Sequence, residues 1–194
     1  MIEAADNPSE VILTLDAKLD HAVSLVLFGR AALCLGFDRP RSAFSATEDV
    51  DGIIRMSQLD DLVNDDAFWD AVEETNLYLE PKGLYITHLF QEDQIFLRPD
   101  WERQLVAVGR PKTRWLELLR PHSIDLILTK MMRGADPQDM DDIAFMVRHD
   151  RITADQMEPA FAAVRMPDVV ELHDAFRKAL PVVREILRRE EASF

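Results

Sequence analysis

The chain has 194 residues, 47% of them apolar and 30% charged, with a formal net charge of -14 at pH 7. That length holds one large domain, or a domain with a helical annex; sparse glycine and proline and the lack of a bilayer-length apolar run predict a soluble, mostly helical, non-membrane protein. The acidic balance excludes a broad, non-specific grip on DNA, which rests on Lys and Arg displacing counterions.

The acidic start, MIEAADNPSE, predicts no secretory signal, and the single Cys34, inside the apolar AALCLGF, predicts a packed thiol in a reducing cytoplasm. NPSEVILTLDAKLDH predicts a first helix capped by Ser9, with Val11, Ile12, Leu15 and Leu19 at helical spacing. AVSLVLFG reads as a buried strand ending at Gly29, RAALCLGF as a short helix, FDRPRSAFSA as a loop and VDGIIRM as a second strand. Ser57 then caps a long helix through QLDDLVNDDAFWDAVEETNLYL, with Leu59, Leu62, Phe68 or Trp69, Val72 and Leu77 on its buried side.

GLYITHLF, QIFLRP, RQLVAV and RWLELLRP read as further strands, parted by the turn chemistry of EPKG, QED and GRPK and continuing one mixed or antiparallel sheet. The basic residues gathered between Arg98 and Pro121 face solvent on those strands or form a local anion-facing patch. From Pro121 onward the pattern is helical: PHSIDLILTKMMRG stopped by Gly134, DPQDMDDIAFMVRHD, TADQMEPAFAAV, and a last helix kinked or split at Pro181. The expected organisation is a sheet domain over 1–120 with a helical part over 121–194 sharing its core.

SATEDVDGIIRM places Asp49 and Asp51 on one face of a strand, side by side. Two like charges that close repel, which suits a solvated edge or a divalent cation between them. The acids Asp136, Asp139, Asp141 and Asp142 lack the spacing of a calcium loop, and Pro137 among them reads as a helix start.

Strand, Gly29, short helix, loop, then a strand bearing Asp-x-Asp resembles the nucleotidyltransferase superfamily. Independently, DLILTKMMRGADPQDMDDIAFMV resembles the charged helix pair of bacterial nucleotidyltransferase-like proteins related to abortive-infection toxins, with Lys130, Arg133, Asp139 and Asp142 at the recurring positions. The resemblance implies an α+β fold, a minimal nucleotidyltransferase-like mixed β-sheet flanked by helices with a helical C-terminal part. It also implies Mg²⁺-dependent transfer of a nucleoside monophosphate from a nucleoside triphosphate to an RNA, protein or small-molecule acceptor. Asp49 and Asp51 would hold the Mg²⁺, Gly29 and Arg30 would contact the triphosphate, Lys130 would neutralise developing charge, and His88 would assist the attacking group.

Two positions depart from that pattern. Arg30 stands where a second small residue is expected, and LYITHLF offers His88 in place of a third acid. Arg30 would then grip phosphate from the side, or fork onto Asp49 and Asp51 as a fixed cation, and Lys130 would reach a triphosphate or pair with Asp139 or Asp142. The rival to an enzyme is a catalytically degenerate fold that binds a nucleotide or a partner protein, as in a toxin–antitoxin or phage-defence pair; a plain acidic interaction module is the third reading.

Overall fold

The computed structural model describes residues 6–193, so the first half of the acidic start lies outside the described residues. The protein is α+β, with a mixed sheet and helices at the C-terminal end. Its chain divides into two compact units, Met1–Gln91 with Leu105–Arg120, and Glu92–Gln104 with Pro121–Phe194.

Among the described residues the first unit holds a five-stranded sheet in the order β3-β2-β1-β5-β4. The strands are β1 (Val23–Phe28), β2 (Asp49–Ile54), β3 (Tyr85–Gln91), β4 (Val106–Ala107) and β5 (Leu116–Arg120). β1 runs antiparallel to β2 and parallel to β5; β2 and β3 are parallel, and β4 closes the far edge antiparallel to β5. Gly52 lets the central strands close up, because a Cβ there would meet Leu89 Cδ2 at 2.7 Å and Leu25 Cδ1 at 2.9 Å.

Helix α1 (Asn7–Lys18) buries Val11, Ile12 and Leu15, and Leu19 beyond it is buried too. Its cap is Asp6, which accepts from the Ser9 backbone N–H at 2.8 Å; Ser9, expected as the cap, sits inside the first turn because Pro8 already suits the helix start. Asp16 near the other end accepts from the backbone N–H groups of Arg114, Trp115 and Leu116, each at 2.8 Å, and so ties α1 to the entry of β5. Helix α2 (Gly29–Leu35) follows β1 directly, and the expected loop contains the one-turn helix α3 (Ser42–Ser45).

The single long helix expected after Ser57 is broken. A 3₁₀ turn (Met56–Gln58) leads into α4 (Leu59–Val63), and Asp65 caps a separate α5 (Asp66–Leu79) by accepting from Phe68 N–H at 3.0 Å. The break turns the buried face of α5 to Phe68, Ala71, Thr75 and Leu79, and leaves Leu77, an expected core residue, 63% exposed. Asn76 on α5 bonds the backbone of β3 twice, donating to Ile86 O at 3.0 Å and accepting from Ile86 N at 2.7 Å.

In the second unit, the expected strand QIFLRP is irregular chain. Ile95, Phe96 and Leu97 are buried, but only Leu97 makes a β-bridge, with Arg165, and the Arg98 backbone N–H goes to Asp125 at 3.0 Å. A short buried apolar run meets the same sequence pattern whether or not it finds a strand partner. Helices α6 (Ser123–Lys130), α7 (Pro137–Asp150), α8 (Ala154–Ala163) and α9 (Val170–Glu191) follow. Of the kink or split expected at Pro181, the split does not occur: α9 runs unbroken through it. The fully buried Asp125 also receives the Arg98 guanidinium in a forked pair, Nη2 to Oδ2 at 2.7 Å.

Candidate active site

The antiparallel register of β1 and β2 sets Phe28 opposite Asp51. Gly29, the next residue, has φ +63°, in the left-handed region where only glycine is unstrained. A Cβ on Gly29 would lie 3.5 Å from Asp51 Oδ2, so the turn out of β1 brings a bare stretch of backbone beside one carboxylate oxygen. On β2, the buried Val50 separates the exposed Asp49 from the half-buried Asp51, the alternation of a half-solvated strand.

The other oxygen of Asp51 is held from β3. The parallel register runs from Val50 opposite Ile86 to Gly52 opposite Leu89, so β3 carries one extra residue there. This bulge sets both Thr87 and His88 against Asp51. Thr87 donates its hydroxyl to Asp51 Oδ1 at 2.6 Å, and His88 Nδ1 lies 3.5 Å from the same oxygen. The His88 ring stacks on Phe90 with centroids 5.0 Å apart, and Phe90 meets Phe28 edge-on at 5.7 Å, so an aromatic shelf adjoins the acid. Thr87 was invisible to sequence reasoning. Strict alternation puts 87 and 88 on opposite faces, and no residue type in the strand marks the bulge.

Asp49, though exposed, titrates above its ordinary value: the surrounding protein displaces part of its hydration, and the neighbouring carboxylates Asp51 and Glu48 add repulsion that His88 offsets only in part. Such a pair is a cation-seeking arrangement. Among the described residues no group of three or more His, Cys, Asp and Glu side chains is placed to hold a metal ion alone. Asp49 and Asp51 offer carboxylate oxygens, the donor type that a hard cation takes. The Arg30 guanidinium lies over the Phe44 ring, 5.7 Å from its centroid.

Lys130 belongs to the second unit. Its ammonium is 11% exposed and bonds Asp139 Oδ1 and Asp142 Oδ2, both at 2.8 Å; Arg133 Nε reaches the second oxygen of Asp139 at 2.5 Å. Of the two roles expected for Lys130, this geometry is that of the pair joining α6 to α7. Cys34 is buried, and burial pushes its thiol up to about 11, so it is a thiol rather than a thiolate at neutral pH.

A mixed sheet in which one strand runs into a left-handed glycine, beside a strand bearing Asp-x-Asp, resembles the nucleotidyltransferase class. The model of one family within it, described as nucleotidyltransferase of unknown function (DUF6036), matches residues 8–176, and the chain belongs to that family. Comparison with curated proteins and with solved structures gave no match. No helix among the described residues is long and apolar enough to cross a membrane.

Proposed function

We propose that the protein transfers a nucleoside monophosphate from a nucleoside triphosphate to a hydroxyl or phosphate acceptor on RNA, a protein or a small molecule. The observation that carries this reading is the convergence of Gly29, Asp49 and Asp51, with Asp51 Oδ2 beside the bare backbone of Gly29. Asp49 and Asp51 would hold Mg²⁺, which when bound would neutralise triphosphate charge and the departing pyrophosphate. Gly29 gives the triphosphate room to approach, and Arg30 contributes a cation next to it. Thr87 fixes the rotamer of Asp51 by taking Oδ1, leaving Oδ2 directed at the ligand. The acceptor oxygen bonds to the α-phosphorus as the bond to pyrophosphate breaks, and the acceptor proton passes to the solvent-facing His88. Lys130, already bonded to two carboxylates, serves the helix pair that carries it.

A second reading has its own observation: β3 presents Thr87 and His88 to Asp51 where a third acid would complete a two-metal clamp. On that reading the fold binds a nucleotide or a partner without chemistry, as in a toxin–antitoxin or phage-defence pair. Isothermal titration with a non-hydrolysable nucleoside triphosphate, with and without Mg²⁺, separates these from no function at this site. Mg²⁺-dependent binding that disappears in Asp49→Asn/Asp51→Asn supports the site, and label transfer from an α-labelled triphosphate then distinguishes enzyme from binder. Absence of binding for every base overturns the nucleotidyltransferase reading.

A further inference from the structure

The outer side of α5 carries an open groove of about 540 Å³, lined by Trp69, Val72, Leu77 and Tyr85 and by Glu73, Asn76 and Glu80. Leu77 is 63% exposed within it, a large apolar surface of the kind that marks a recognition site when it is contiguous with others. Glu73 and Glu80 have no Lys or Arg within ion-pair distance among the described residues, whereas Glu74 on the same helix is paired with Lys18. The groove thus combines an apolar floor with two uncompensated negative charges on its walls. Its shape also restricts the occupant. The β3 backbone beside it is closed at Ile86 by the Asn76 amide, so an added strand cannot take both of those bonds.

We propose that this groove takes a cationic amphipathic helix of a partner protein, its apolar stripe on Trp69, Val72 and Leu77 and its Lys or Arg residues against Glu73 and Glu80. A helix supplies apolar anchors on one face with flanking positive charge, and α5, 14 residues long, runs alongside to receive it. A polyanion such as RNA is repelled by the same two carboxylates. The inference stands apart from nucleotidyl transfer, and its test uses neither nucleotide nor Mg²⁺.

The probe is a synthetic helical peptide of leucine and lysine with leucines at i, i+3, i+4 and i+7, titrated into the full chain by calorimetry, beside a matching leucine–glutamate peptide. The lysine peptide binds and the glutamate peptide does not. Binding weakens about tenfold or more in Glu73→Lys/Glu80→Lys and in Leu77→Ser, but is unchanged in Asp38→Lys/Asp168→Lys, which makes the same change in net charge elsewhere. Equal weakening in that control, or none in the groove variants, reduces the effect to general electrostatic attraction and overturns the proposal. So does a failure to bind. Concentration-dependent dimerisation in sedimentation that Leu77→Ser abolishes would replace the partner helix by a second copy of this chain.

Discussion

Thr87 continues the register that sets Val50 opposite Ile86, and its hydroxyl takes Oδ1 of Asp51 at 2.6 Å, while the extra residue beyond it brings His88 to the same oxygen at 3.5 Å. With Oδ1 held by Thr87, Oδ2 of Asp51 is the oxygen beside the Gly29 turn. A side chain that orients a ligand-binding carboxylate typically affects affinity by about ten- to a hundredfold when removed.

Thr87→Val keeps the shape and loses the donor. We expect Mg²⁺-dependent binding of a non-hydrolysable triphosphate to weaken about tenfold in calorimetry, with Thr87→Ser restoring it. Unchanged affinity in the valine variant would remove Thr87 from the site while leaving Asp49 and Asp51 in it.

Asp49 works against the fold's own stability. Its folded-state pKa lies above 3.8, so stability is lost as pH rises from that unfolded value through the higher folded one, and the deficit persists at neutral pH. Asp49→Asn should therefore melt at a slightly higher temperature than wild type at pH 7 and show no advantage below pH 3.8, while losing Mg²⁺-dependent nucleotide binding. A neutral-pH melting temperature below that of wild type would contradict this.

Asp16 behaves in the opposite sense. Burial opposes its ionisation, but the N–H groups of Arg114, Leu116 and Trp115 and the Arg114 charge outweigh burial and hold its carboxyl below 3.8. The stability it supplies is complete above the unfolded value and is lost as pH falls through the lower folded one. Asp16→Ala strands three backbone donors and should cost about 3 kcal/mol in urea denaturation at pH 7, a difference that shrinks toward acid pH.

The Arg98–Asp125 pair anchors the 92–104 excursion within its unit. Asp125→Ala leaves a guanidinium and a backbone N–H without their acceptor, at a cost of about 3 to 5 kcal/mol read from the denaturation midpoint. Loss of less than about 1 kcal/mol would mean that water replaces the carboxylate.

The sequence announced those parts of the site that depend on local pattern. Gly29 at a strand end and Asp49 and Asp51 at period two were readable because alternation and turn chemistry are local rules. Thr87 was not, because which strands pair, and in which register, is not written in either strand alone. The broken helix between Met56 and Leu79 had a signal in Asn64 and Asp65, but unbroken apolar spacing outweighed it, and the misplaced break rotated the expected face onto Leu77. QIFLRP failed for a different reason. Its buried residues satisfy the pattern of an interior strand, while their backbone partners, Arg165 and Asp125, come from far along the chain.

The Asn76 amide on Ile86 also bears on what happens when many copies of the chain are made at once. β3 is the end strand of the sheet, and an end strand with free backbone groups is a template on which another molecule can build. With one amide occupying both the N–H and the C=O of Ile86, that template is interrupted near its beginning. Removing the amide, by Asn76→Leu, is expected to shift expressed protein from the soluble fraction to inclusion bodies through edge-to-edge pairing, with the folded site itself intact.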